Sequence, residues 1–177
     1  RIGTRTYGKS TFNQLRFANH DAQIFGIDVA GRLAVLNSPH LGRAEVKGVV
    51  GWLHGEMIDS GDGLYHMMPL NGRLSLEHTL GGWNSAVELH LVDAKTDGDP
   101  LRREPNTPAY ALVNLRTGYE WQNIRFDVGI DNLFDKKYYL PLGGVNFDDY
   151  MASDWSDQIR ALAGPGRSFM AGVTVKF

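Results

Sequence analysis

Apolar and polar side chains alternate one for one along most of this chain, a period of two that belongs to strands with one greasy side and not to helices. Between 23 and 35 the odd positions carry Gln23, Phe25, Ile27, Val29, Gly31, Leu33 and Val35, while Asp28 and Arg32 hold even ones. The phase then reverses, so that Ala44, Val46, Gly48, Val50 and Trp52 oppose Arg43, Glu45 and Lys47. Leu74, Leu76 and Leu80 stand against Arg73, Ser75 and Glu77, and Val87, Leu89 and Leu91 against Glu88 and His90. Ala111, Val113, Leu115, Thr117, Tyr119 and Trp121 alternate with Asn114, Arg116 and Glu120; Ile124, Phe126, Val128 and Ile130 follow, alternating with Arg125, Asp127 and Asp131. The last run sets Phe169, Ala171, Val173, Val175 and Phe177 opposite Lys176. With a weaker run around Leu15 and Phe17, the pattern predicts an all-β, antiparallel fold of about eight strands, each roughly ten to thirteen residues long.

Fourteen formal charges fall in the seven clear runs, seven acids and seven bases, and all of them lie on the polar side. Alternation alone does not say which side faces inward, because a soluble ligand-binding barrel hides its greasy face and a membrane barrel displays it. Three features favour the membrane. Runs of about ten tilted residues match the hydrocarbon layer of a bilayer. Short turns near 37–41, 81–82 and 122–123 are interleaved with long polar loops at 55–66, 93–107 and 136–166, as in outer-membrane barrels. In an up-and-down arrangement Trp83, Trp121 and Phe177 collect at the short-turn rim on the apolar side, forming an aromatic girdle.

Composition narrows the function classes. The 177 residues suffice for one domain or for part of a larger one, and a net charge of −2 without any basic stripe argues against nucleic acid. The absence of cysteine removes disulfide scaffolds, thiolate zinc sites and cysteine nucleophiles. No apolar run approaches the length of a spanning helix. There is no Gly-x-Ser-x-Gly elbow, phosphate-binding glycine loop or His-Glu-x-x-His helix, so an enzyme is not expected.

Residues 114–144, "NLRTGYEWQNIRFDVGIDNLFDKKYYLPLGG", followed by 164–177, "GPGRSFMAGVTVKF", resemble the C-terminal end of TonB-dependent outer-membrane receptors. Asn132-Leu133-Phe134-Asp135-Lys136-Lys137-Tyr138-Tyr139 is similar to that family's penultimate-strand motif, and Pro165-Gly166-Arg167 to its approach to the last strand. The stretch 18–33 is similar to an earlier strand of the family, so the likeness covers almost the whole chain. The resemblance implies an outer-membrane protein of the bacterial cell, whose present strands are the last eight of a barrel of about twenty-two. Its plug domain and the short segment that contacts TonB would lie outside residues 1–177. Partners implied are the outer-membrane lipid and lipopolysaccharide, the plug, the other barrel strands, the TonB complex and the barrel assembly machinery. "MMPLNGRLSLEH" at 67–78 and "LPLGGV" at 140–145 look most like the copper-receptor branch, which favours copper over a ferric siderophore as cargo. The rival expectation is a complete eight-stranded outer-membrane barrel with a structural or adhesion role.

Three sets of residues carry candidate chemistry. Copper(I) prefers thioether and imidazole ligands, and His54, Met57, His66, Met67 and Met68 crowd one loop. On an extended segment His66 and Met68 share a face, which Met57 can approach from the other arm; the alternative is that these residues simply line the loop. Asp148, Asp149, Asp154 and Asp157 offer oxygen ligands for a hard cation, although their spacing misses the twelve-residue calcium loop, and a solvated loop is the alternative. Gly172, Val175 and Phe177 fit a C-terminal assembly signal that can add to an exposed strand edge, with Met170 departing from its usual polar start. Arg73, Glu77, Glu88, Arg116, Glu120, Arg125 and Asp127 are expected to face a watery lumen and pair across strands.

Overall fold

The structure is a computed structural model that describes residues 2–7, 10–15, 19–100, 102, 104–145, 148 and 160–177. Nine strands follow in order: β1 (Ile2–Tyr7), β2 (Ser10–Leu15), β3 (Ala22–Ser38), β4 (Gly42–Met57), β5 (Asn71–Leu80), β6 (Trp83–Val92), β7 (Tyr110–Trp121), β8 (Ile124–Asp131) and β9 (Ser168–Val175). Strands β3 to β9 form one seven-stranded antiparallel sheet in sequential order. The weak run around Leu15 resolves differently from the expected eighth sheet strand. β1 and β2 pair with each other as a separate hairpin, and Phe17 lies outside the described residues. Strand lengths also run wider than expected, from 17 and 16 residues in β3 and β4 to 8 in β8 and β9. Among the described residues no helix is long and apolar enough to cross a membrane, which leaves crossing by strands untouched.

The register explains the alternation. Opposite residues in an antiparallel pair point to the same face, so the pairings Leu33↔Val46, Val46↔Leu76, Leu76↔Val87, Val87↔Leu115, Leu115↔Ile130 and Ile130↔Phe169 draw one apolar rung across all seven strands. That face is open. Ile27, Leu33, Leu76, Val87, Val128 and Val173 are all exposed, Val87 at 47% and Val128 at 52%. A soluble barrel would bury these residues. The hydroxyls on this face satisfy each other: Ser85 Oγ and Thr117 Oγ1 meet at 2.9 Å across β6 and β7, which lowers the cost of keeping them away from water.

The buried core is on the opposite, charged face. Val92, Tyr110 and Leu112 occupy the polar-side register at the long-loop ends of β6 and β7, and Tyr138 folds back over them with Met68 and Leu140. Tyr110 and Tyr138 pack with ring centroids 4.7 Å apart. Gly164 permits this closure, because a Cβ there would lie 2.1 Å from the Tyr138 ring. Short turns at 39–41, 81–82 and 122–123 leave one rim of the sheet bare, while the described residues of the segments 58–70, 93–109 and 132–167 gather at the other.

Candidate functional site

Three long loops meet over the charged face, and one carboxylate fastens them. Glu104 Oε1 accepts from Lys95 Nζ at 2.5 Å and from the His66 amide at 3.0 Å, while Oε2 accepts from the Asp99 amide at 3.1 Å. Both Lys95 and Glu104 side chains are almost fully buried. Lys95 Nζ also reaches the Pro141 carbonyl at 3.4 Å, so the pair ties the 58–70, 93–109 and 132–167 loops together. Burial pushes the Glu104 carboxyl upward, but the Lys95 ammonium and the two amides outweigh it and hold the group below its ordinary value. The Lys95–Thr107 bridge, with backbone bonds of 2.9 and 3.1 Å, closes the base of the middle loop.

A second clamp comes from the motif at 132–139. Asn132 sits at φ 51, a left-handed conformation that asparagine tolerates better than most residues. Its side chain accepts from the Lys136 amide at 2.8 Å and donates to the Lys136 and Pro165 carbonyls at 2.9 and 3.3 Å. Asp135 Oδ1 accepts from the Arg167 amide at 2.8 Å. The motif therefore pins the start of the last long loop to its end. Asn114 Oδ1 on β7 receives the Asn132 amide at 2.9 Å and joins this clamp to the charged wall below.

On the charged face the register brings Arg73, Glu77, Glu88, Arg116, Glu120, Arg125 and Asp127 together, and each enters an ion pair. Lys47 and Glu77 meet at 2.7 Å between β4 and β5, Arg73 and Glu88 at 3.4 Å between β5 and β6. Arg116 pairs with Asp131 between β7 and β8, Arg125 with Asp127 at 2.9 Å along β8, and Glu120 with Lys176 at 2.9 Å. Such half-exposed pairs each add little stability; together they hold a dense set of fixed charges on one surface.

The soft-ligand cluster looks different from its expectation. His66 has φ 62 and lies in a turn, so the premise of an extended His-x-Met segment fails. Its ring stacks on Tyr65 at 3.9 Å, with the Arg102 guanidinium 5.0 Å from the Tyr65 centroid. Met68 packs against the buried cluster and Met57 ends β4. Among the described residues no group of three or more His, Asp or Glu side chains could hold a metal ion. Of the four aspartates in the last loop, Asp148 is described and exposed, while Asp149, Asp154 and Asp157 lie outside the described residues. Val175 ends β9, Gly172 faces open space on the polar side and Phe177 is fully exposed beyond the strand. Sequence reasoning missed Lys95 and Glu104, because two opposite charges nine residues apart in a polar loop have no periodicity to mark them.

The fold is thus an all-β antiparallel sheet with an open apolar face, a charged face crossed by ion pairs and a buried cluster under its loops. Solved structures that share this fold include three uptake proteins. A copper transporter, OprC, superposes with a TM-score of 0.76 at 20% identity, covering 99% of this chain and 27% of its own. The ferric yersiniabactin uptake receptor FyuA from Yersinia pestis gives 0.67 at 15% identity, covering 88% and 24%. The ferric citrate transporter FecA, unliganded, gives 0.65 at 15%, covering 86% and 24%. The chain thus spans about a quarter of the length of each. No protein-family model matches the sequence, and no curated protein matches it.

Proposed function

We propose that this chain is the C-terminal barrel portion of a TonB-dependent outer-membrane receptor that imports a scarce metal, with copper favoured and a ferric siderophore next. The observation that carries the reading is the inversion of the core: the apolar face is exposed across seven strands, while the buried residues lie on the charged face beneath the long loops. A lipid solvent outside and a wet, occupied interior make that arrangement favourable. The charged wall then lines the lumen and clasps the plug, and the tied loops form the extracellular rim that captures cargo. The preference for copper rests on the stretches at 67–78 and 140–145 and on the 99% coverage by the copper transporter, against 88% and 86% for the two iron-chelate proteins.

Reconstitution of the full-length protein with brominated lipids tests the lipid-facing reading. Trp52, Trp83 and Trp121 all belong to the apolar-side register, and their fluorescence is expected to be quenched. Unquenched emission would end the proposal. Metal uptake by cells lacking the gene, on limiting copper or limiting iron chelate, separates the two cargoes. Met57, His66 and Met68 are the soft ligands to test: unchanged copper(I) affinity in the His66→Ala, Met68→Ala double variant would remove those two from the site.

A further inference from the structure

We propose that the charged face carries a binding site for a small multivalent oxyanion of the diphosphate class, seated between β3, β4 and β5. The inference rests on the reading above, in which this face looks into a watery lumen. Two rungs of the register build its floor: Arg32–Lys47–Ser75 and, next along the strands, Ala30–Val49–Arg73. All six residues belong to the polar side, and together they line a cleft of about 590 Å³. Ala30 and Ser75 keep two of its corners low, so the cleft opens between long cationic side chains. Arg32, Lys47 and Arg73 are the only ionisable residues in the lining, which holds no acid. The volume lies within the usual range for a small-molecule site.

The charges choose the occupant. Arg32 and Lys47 stand directly opposite each other in the register, a like-charge pairing that costs stability and that an anion between them offsets. Lys47 is engaged by Glu77 at 2.7 Å and Arg73 touches Glu88 at 3.4 Å, both through carboxylates outside the cleft. Arg32 forms no ion pair among the described residues, and the Ser75 hydroxyl has no hydrogen-bond partner among them. A guanidinium fork and a hydroxyl thus stand ready as donors beside two further cations, each with N–H groups to spare. Such a set calls for an acceptor-only ligand with several oxygens and more than one negative charge. A lone carboxylate satisfies the Arg32 fork and leaves the rest unmet. A tetrahedral oxyanion accepts from fork, ammonium and hydroxyl together, and a diphosphate has a second phosphoryl group for Arg73.

The test titrates inorganic pyrophosphate or nitrate into the full-length protein in detergent, with binding read by isothermal calorimetry. The expected result is one pyrophosphate per protein, held at least about tenfold more tightly than nitrate and less tightly as salt is raised. Arg32→Gln is expected to weaken binding about tenfold, and Ala30→Leu, which fills a low corner, several-fold. Arg43→Gln removes a cation from the same face of β4 but outside the cleft, and is expected to change binding less than about twofold. Folding of each variant is checked by heat-modifiable migration. Pyrophosphate bound no better than nitrate would overturn the proposal, and equal losses in Arg32→Gln and Arg43→Gln would overturn it too, by reducing the site to a diffuse positive field. Because tryptophan quenching by brominated lipid reports the apolar belt independently, a quenched protein without pyrophosphate preference refutes this inference alone, whereas an unquenched one refutes the reading beneath it.

Discussion

Glu104 shows how a single side chain organises a surface that has no regular secondary structure. Buried between an ammonium and two amides, it is stabilised as the anion, and linkage makes that preference a stability that depends on pH. Its folded value is depressed, so the contribution is complete above the ordinary glutamate value of 4.5 and is lost as pH falls through the lower folded value. Amide exchange of residues 93–107 is therefore expected to stay slow at neutral pH and to accelerate once the medium drops below that range, while strand amides remain protected. Lys95→Met removes the cation and leaves the carboxylate buried alone, a change that costs about 3 kcal/mol in comparable pairs. Faster proteolytic nicking in the three long loops, with an unchanged strand core, is the expected readout; nicking confined to residues 93–109 would show that the tie between loops is weak.

Strands are the elements the sequence made most legible. Period-two alternation located all seven members of the sheet, and the register confirms which residues share a face. Where the pattern broke down, the physics was local. The β1–β2 hairpin has too little alternation to announce itself. Val35 sits in a register shift between Ala34 and Leu36, a bulge that a strict parity reading passes over. The loops were illegible for a different reason, since Lys95, Glu104, His66 and Pro141 meet only after three separate segments fold over the sheet. Asn132 was visible as part of a family motif, but its work as a clamp required the Lys136 and Pro165 carbonyls to be in view. Adjacent positions on β6 test the face assignment at a common depth. Val87→Arg places a cation on the apolar side and is expected to destabilise the folded protein by about 2–4 kcal/mol in lipid. Ala86→Arg lies between Glu77 and Arg116 in the register, so attraction on one side offsets repulsion on the other, and it is expected to cost much less. Urea titration in vesicles compares them, and equal losses would mean the two faces see the same solvent.

At the scale of the whole molecule, the apolar band and the two rims agree in size. From Phe25 to Val35 the chain advances ten residues along β3, and at about 3.3 Å per residue with a tilt near 40° that rise is about 25 Å, the height of an outer-membrane apolar belt. Aromatic groups mark both limits: Phe25, Trp52 and His54 cluster near the long loops, while Trp83 packs on Tyr119, with Trp121 nearby, at the short turns. Phe177 projects beyond the same short-turn rim, free of any packing that its loss would disturb. Deleting it is expected to reduce the amount of barrel inserted in cells at least several-fold while leaving the thermal stability of the inserted fraction unchanged. A matched fall in stability would instead make Phe177 a structural closure.

The knot at Glu104 also sets how such a crown must respond when something lands on it. Arms that share one fastening cannot give way singly, so whatever seizes the crest near His66 is felt at Pro141 without touching it. If these loops capture cargo as proposed, capture would be cooperative by construction, and a change in one arm should alter grip in the others.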